Sequence, residues 1–152
     1  MSHSALTPVF VGLRVGLHVL IAGLLVLVVV RLPALGPQAA VAGLVLTVLF
    51  ALVYLTSPLI RVVPPQSRRR AGVAWISALG LVWVGLVIVV PEAAYLAFPL
   101  FFLCLHLLPR WVGPVAVVAL TAVAIVALSL HQGFSAGVVI GPLIGAGVAI
   151  LL

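Results

Sequence analysis

The sequence predicts an all-α, polytopic membrane protein of six transmembrane helices with both termini in the cytoplasm. Three observations predict it. Hydrophobic residues make up 66% of the 152, and charged residues only 5%, against about 25% in a water-soluble domain. Mean hydropathy is +1.55. Most of the arginines fall between long apolar runs, with prolines and glycines at the breaks. A chain with one acidic and seven basic residues cannot cover a soluble globule, so the bilayer must be its solvent.

Spanning the hydrocarbon takes roughly 20 helical residues, and the punctuation delimits six segments. The first, 8–30, ends at Arg31, Pro33, Gly36 and Pro37. It follows a short polar start as a signal peptide does, but it is longer than an h-region and no small-x-small cleavage site follows it. It therefore reads as the first transmembrane helix. The second, 38–60, ends at Arg61 and the Pro64-Pro65 pair, and the third, 71–90, ends at Pro91. The fourth, 93–108, is short, carries Pro99 in its middle and ends at Pro109, so a bend is expected there. The fifth, 111–130, ends at His131-Gln132-Gly133, and the sixth is 134–152. Together they form one transmembrane domain. The alternating pattern of barrel strands is absent, which leaves helices as the way to satisfy the backbone in lipid.

The run RVVPPQSRRR at 61–70 is the strongly polar stretch of the chain. Short arginine-rich loops stay in the cytoplasm. With this loop inside, Arg14, Arg61, Arg68, Arg69, Arg70 and Arg110 are cytoplasmic and only Arg31 is outside; the reverse orientation inverts that count. Arg61, Arg68, Arg69 and Arg70 are thus the topology anchor. Trp111 beside Arg110, and Tyr95 after Glu92, fit interfacial positions. Trp75 lies one turn inside the basic loop. Trp83 is deeper and calls for packing against a neighbouring helix. The formal charge of +6 does not indicate nucleic acid, because the arginines punctuate apolar runs instead of forming one soluble basic face. Membrane lipids are the expected partners.

Gly133, Gly137, Gly141 and Gly145 recur every four residues near the sixth segment, with Pro142 beside them. Such a stripe lets another helix approach closely, either within the chain, in a homodimer, or as a sliding element; Gly12 and Gly16 on the first helix are a possible counterpart. Glu92, the one acid, follows Pro91 near the outer interface. It reads as a solvated turn residue, as a partner of Arg31, or, with His131, as a stimulus-sensing group. His18, His106 and His131 lack ligand spacing, and orientation separates His131 from the other two, so no metal or haem is expected; only His18 with His106 could pair. Cys104 has no partner for a disulfide. No catalytic constellation can be assembled around a single carboxylate, and no phosphate-binding glycine loop is present. No cofactor is expected.

The stretch PEAAYLAFPLFFLCLHLLP at 91–109, followed by GPLIGA at 141–146, resembles the membrane-embedded sensor region of actinobacterial two-component sensor histidine kinases. The lysine-free, Val/Leu/Ala/Arg-rich composition fits a high-GC bacterium. The resemblance implies a location in the bacterial inner membrane and a sensor or input module. That module would pass a membrane or envelope stimulus through the sixth helix to a cytoplasmic kinase. It also implies a homodimer, and a kinase domain and response regulator as partners of a longer protein. The phospho-accepting histidine helix and ATP-binding domain of such kinases are absent from this chain; they would follow Leu152. Kinase activity is therefore expected only of a longer protein. The alternative is a small transporter or channel-like protein, for which Pro99 and Gly141-Pro142 are the broken-helix candidates.

Overall fold

A computed structural model describes residues 6–151. It is all-α. Six helices run α1 (Leu6–Arg31), α2 (Pro37–Leu55), α3 (Pro65–Val89), α4 (Ala97–Leu107), α5 (Val112–Gln132) and α6 (Ala136–Leu151), with 3-10 turns at Leu32–Ala34, Ser57–Arg61 and Pro91–Leu96. Four spans are long and apolar enough to cross a membrane: Arg14–Ala34, Pro37–Arg61, Pro65–Val89 and Val112–Gln132. Pro91–Leu107 and Ala136–Leu151 are shorter apolar helices.

Prolines set most of the boundaries. Gly36 is extended, and Pro37 opens α2 at a position where its missing N–H is no loss. Val90 and Leu108 are both extended because each precedes a proline, which disfavours helical backbone at the residue before it. Gly133 ends α5 at φ 76°, a conformation that L side chains rarely adopt. This glycine belongs to the cap of α5, so the four-residue glycine repeat enters α6 only at Gly137.

Three segments differ from their sequence-based boundaries by more than two residues. The third helix begins at Pro65, not at 71. Pro64 is extended ahead of Pro65, and its carbonyl accepts the backbone N–H of Ser67 and Arg68, so the helix starts at once. Arg68, Arg69 and Arg70 therefore sit on the first two turns of α3 and not in a loop. The α-helix of the second segment stops at Leu55, and the chain continues as a 3-10 turn through Pro58; a proline ring at that position clashes with a carbonyl one turn back in α-geometry. The fourth segment is a six-residue 3-10 stretch followed by α4. Pro99 falls in the first turn of α4 rather than mid-helix.

α3 is the central helix. It buries 39% of its most apolar window, against 17% for α1, 22% for α2 and 28% for α5. Trp83, Leu79, Leu86 and Val87 on α3 are fully buried against Phe50 of α2, Ile21 and Val28 of α1, and Leu96, Leu100 and Phe101 around α4. α2 lies along α3, α4 pairs with α5, and α6 packs on α4 and α5, while the Pro91–Leu96 turn packs against α1. The outward faces carry Val19, Val26, Val41, Leu52, Val115, Val126 and Ile144, all exposed. An apolar exterior of this extent suits lipid, not water.

Candidate functional site

The polar side chains that connect helices lie at the two ends of the bundle. At the first end, His18 Nδ1 on α1 is hydrogen-bonded to the phenol of Tyr54 on α2, and the two rings meet edge to face with centroids 5.5 Å apart. Tyr54 in turn lies against Trp75 of α3, 6.3 Å between centroids. The last carbonyls of a helix have no partner within it. Near the end of α2 the Val53 carbonyl takes two side-chain donors, Trp75 Nε1 at 2.7 Å and Thr56 Oγ1 at 2.6 Å. A neighbouring helix thus caps α2 and ties α1, α2 and α3 at one depth.

Just beyond this cluster lie the arginines. Arg68 Nη2 donates to the carbonyls of Arg61 (3.1 Å) and Val63 (3.4 Å), which folds the 62–64 connection back onto α3. Gln66, Arg69 and Arg70 line a groove together with Pro109 of the α4–α5 turn. Arg110, next to it, holds its guanidinium 5.7 Å from the ring of Trp111. Arg61, Arg68, Arg69, Arg70 and Arg110 are therefore gathered at one end of the fold.

The opposite end is built from different material. Trp83 is fully buried and donates its indole N–H to the Ala93 carbonyl in the 3-10 turn, 2.9 Å away. Arg31 Nε stands 3.4 Å from Glu92 Oε1, so Glu92 is the partner of Arg31, with its side chain 28% exposed. His131 is exposed, and its Nδ1–H donates to its own helix at Ala127, 2.8 Å away. Glu92 and His131 form no hydrogen bond or ion pair with each other among the described residues. Gly43 lies beneath Leu32 and Val90.

Between the ends the interior is apolar. Its buried polar side chains, Thr47 and Thr121, donate to carbonyls four residues back in their own helices, at 2.7 Å each. Cys104 is buried and forms no disulfide among the described residues, and His106 is exposed. No group of three metal-ligating side chains exists among the described residues. Of the glycine repeat, Gly145 is packed: a side chain there would meet the ring of Phe98 on α4. Gly137 and Gly141 face open space.

Sequence reasoning singles out the arginines, Glu92 and the glycines, but it gives no role to Tyr54 and sets His18 beside the other histidines alone. A signal was present. His18 lies four residues after Arg14, Tyr54 seven before Arg61 and Trp75 five after Arg70, so all three sit about one to two turns from a basic flank. No family model, curated protein or solved structure matches this chain.

Proposed function

We propose that the chain is a six-span protein of a bacterial cytoplasmic membrane, with its arginine-rich end and both termini in the cytoplasm, working as a membrane-embedded input module. The observation that carries this reading is the distribution of polar contacts. Among the described residues they join helices at the two ends, while the buried threonines of the middle, Thr47 and Thr121, are satisfied within their own helices. Transport is usually built on ionisable or broken-helix sites near the midplane; Pro142 inside α6 is a broken-helix candidate, but among the described residues no ionisable side chain accompanies it.

Length supports a crossing by Pro91–Leu107 in addition to the four longer spans. Six residues of 3-10 helix rise about 12 Å and the eleven of α4 about 16 Å, so Pro91–Leu107 reaches about 28 Å from only 17 residues, close to the roughly 30 Å hydrocarbon core. The 3-10 geometry lengthens a segment that would be short as pure α-helix. Orientation follows from the arginine end.

α6 is the element that transmits. It packs on α4 and α5 through Val138, Gly145, Ala146 and Ala149, and its Gly137/Gly141 face is where a second copy meets it in a homodimer. On the sequence resemblance, the output is a histidine kinase domain of a longer protein, acting on a response regulator.

Reporter fusions and cysteine cross-linking test this. A reporter after α6 reads cytoplasmic, and one in the 133–135 turn reads external. Arg68→Gln/Arg69→Gln/Arg70→Gln lowers the correctly inserted fraction. In a Cys104→Ser background, cysteine at 137 or 141 cross-links between copies. An external reading at the basic end sinks the orientation, and solute flux in proteoliposomes of the purified chain sinks the input-module reading.

A further inference from the structure

The chain carries one acidic side chain, Glu92, which Arg31 takes, so the other arginines are left with water, backbone carbonyls or an anion from outside the chain as partners. Of the three consecutive arginines on α3, Arg68 is occupied by the carbonyls of Arg61 and Val63. Arg69 and Arg70 form no hydrogen bond or ion pair among the described residues. They are set on a common face: Gln66, Arg69, Arg70, Val73 and Ala74 follow three- and four-residue spacing, which stacks them on one side of the helix. That face and Pro109 line an open groove of about 530 Å³.

We propose that this groove seats the headgroup phosphate of an anionic phospholipid. Arg69 and Arg70 form its cationic wall, and Gln66 supplies a neutral donor. Val73 and Ala74, about 5 Å further along α3, form an apolar ledge for the glycerol and first acyl carbons. Guanidinium is suited to this task because its fork of N–H groups matches two phosphate oxygens at once. Polar wall first and apolar ledge one turn deeper is the order in which a phospholipid presents its own chemistry. The depth fits as well: Trp111, two residues from Pro109, is 80% exposed, as a residue at the headgroup level is. The proposal rests on the membrane reading above, but not on the signalling role or on which side the basic end faces.

The test is lipid titration of the purified full chain in neutral detergent, read by native mass spectrometry. Phosphatidylglycerol binds in preference to phosphatidylcholine. Arg69→Gln/Arg70→Gln weakens phosphatidylglycerol binding by about tenfold or more, the scale of losing charge-assisted hydrogen bonds. Arg61→Gln/Arg68→Gln removes the same charge outside the groove and weakens it less than about threefold. Equal loss in the two double variants means diffuse charge attraction and overturns the seat. Equal binding of the two lipids overturns its anionic selectivity. Displacement of the lipid by inorganic phosphate at equal concentration assigns the groove to a free anion and overturns the lipid. Should the glutamine variant fail to fold, Arg69→Lys/Arg70→Lys keeps the charge and loses the fork: weaker binding supports the seat, and unchanged binding overturns it. Binding in micelles is independent of insertion, so a failed topology reporter and a failed titration are separate results.

Discussion

At the Glu92 end, the chain turns through 3-10 backbone packed against α1, Trp83 is sealed beneath it with its N–H satisfied, and Gly43 leaves room for Leu32 and Val90 to close over the top. At the arginine end, the contacts between helices are a His18–Tyr54 hydrogen bond, an indole capping α2, and guanidiniums that fold a loop or face outward. The first end is held by packing around Trp83, while the second sets exposed guanidiniums, which can exchange partners with water or headgroups, over a part-buried cluster of His18, Tyr54 and Trp75. Rigidity and adaptability are thus placed at opposite surfaces of one bundle. A packed end resists displacement because removing volume leaves a cavity, whereas an exposed polar contact is replaced at little cost.

Trp83→Ala is the largest expected break. It empties the sealed end and should lower stability by roughly 3–5 kcal/mol, seen as a drop in the calorimetric unfolding midpoint in detergent. Trp83→Phe retains most of the volume but leaves the Ala93 carbonyl without its donor, a loss of about 1–3 kcal/mol. If Trp83→Ala is tolerated to within the effect of an exposed substitution, the packed end is not what holds the bundle.

A matched pair of glycines sharpens the contrast. A β-carbon at Gly43 would stand 2.6 Å from Leu32 Cδ2 and 3.0 Å from Val90 Cγ2, both on buried residues. Overpacking of that kind costs about 1–3 kcal/mol. Gly72, on α3 near the basic end, is buried, yet a β-carbon there meets nothing within 4 Å. Gly43→Ala should therefore lower the unfolding midpoint, while Gly72→Ala raises it through the gain of about 1 kcal/mol in helix propensity. The same shift at both positions would mean that the ends are packed alike.

The two ends also differed in how far the sequence revealed them. Prolines 37, 91 and 109 and Gly133 marked breaks that the structure places within a few residues, because each has a local backbone consequence. The start of α3 was misplaced because Pro64-Pro65 reads equally as the end of a loop or the first turn of a helix, and only the Pro64 carbonyl accepting two N–H groups decides it. The 3-10 form of Pro91–Leu96 and the His18–Tyr54 bond were not legible for a different reason. Segments that are apolar on nearly every face carry no stripe to fix their rotation, so which residues meet across helices is set by tertiary packing alone. The arginines were legible as a group, but the division between Arg68, turned to the loop, and Arg69 and Arg70, turned to the groove, needed the helix to begin at Pro65.

Tyr54→Phe tests the adaptable end. It removes the partner of His18 Nδ1 and keeps the ring against Trp75. Hydrogen bonds between membrane helices average about 0.6 kcal/mol, so the midpoint should fall only slightly. Hydrogen exchange at the ends of α1 and α2 nearest the arginines should rise, while the amides of Val90–Leu96 keep their protection. Loss of protection at both ends would show that the His18–Tyr54 contact governs the whole bundle and not one end of it.

The smallest expected effect is the most discriminating about the sealed end. Arg31 and Glu92 are separated by 3.4 Å through a single Nε contact, with side chains 57% and 28% exposed. Two opposing considerations apply. The site lies at the boundary of an apolar bundle, where reduced screening strengthens an ion pair; the guanidinium is more than half open, and exposed pairs contribute only about 0.2–1 kcal/mol. Exposure of Arg31 should win, because the more open partner sets how readily water or salt replaces the contact. A double-mutant cycle with Arg31→Gln and Glu92→Gln should therefore give a coupling energy below about 1 kcal/mol that shrinks with added salt. A coupling well above about 2 kcal/mol, insensitive to salt, would place the pair out of water. The sealed end would then be held by charge as well as by the packing around Trp83, and its contrast with the arginine end would narrow to the identity of the anion: a carboxylate from the chain at one surface, and a phosphate from the lipid at the other.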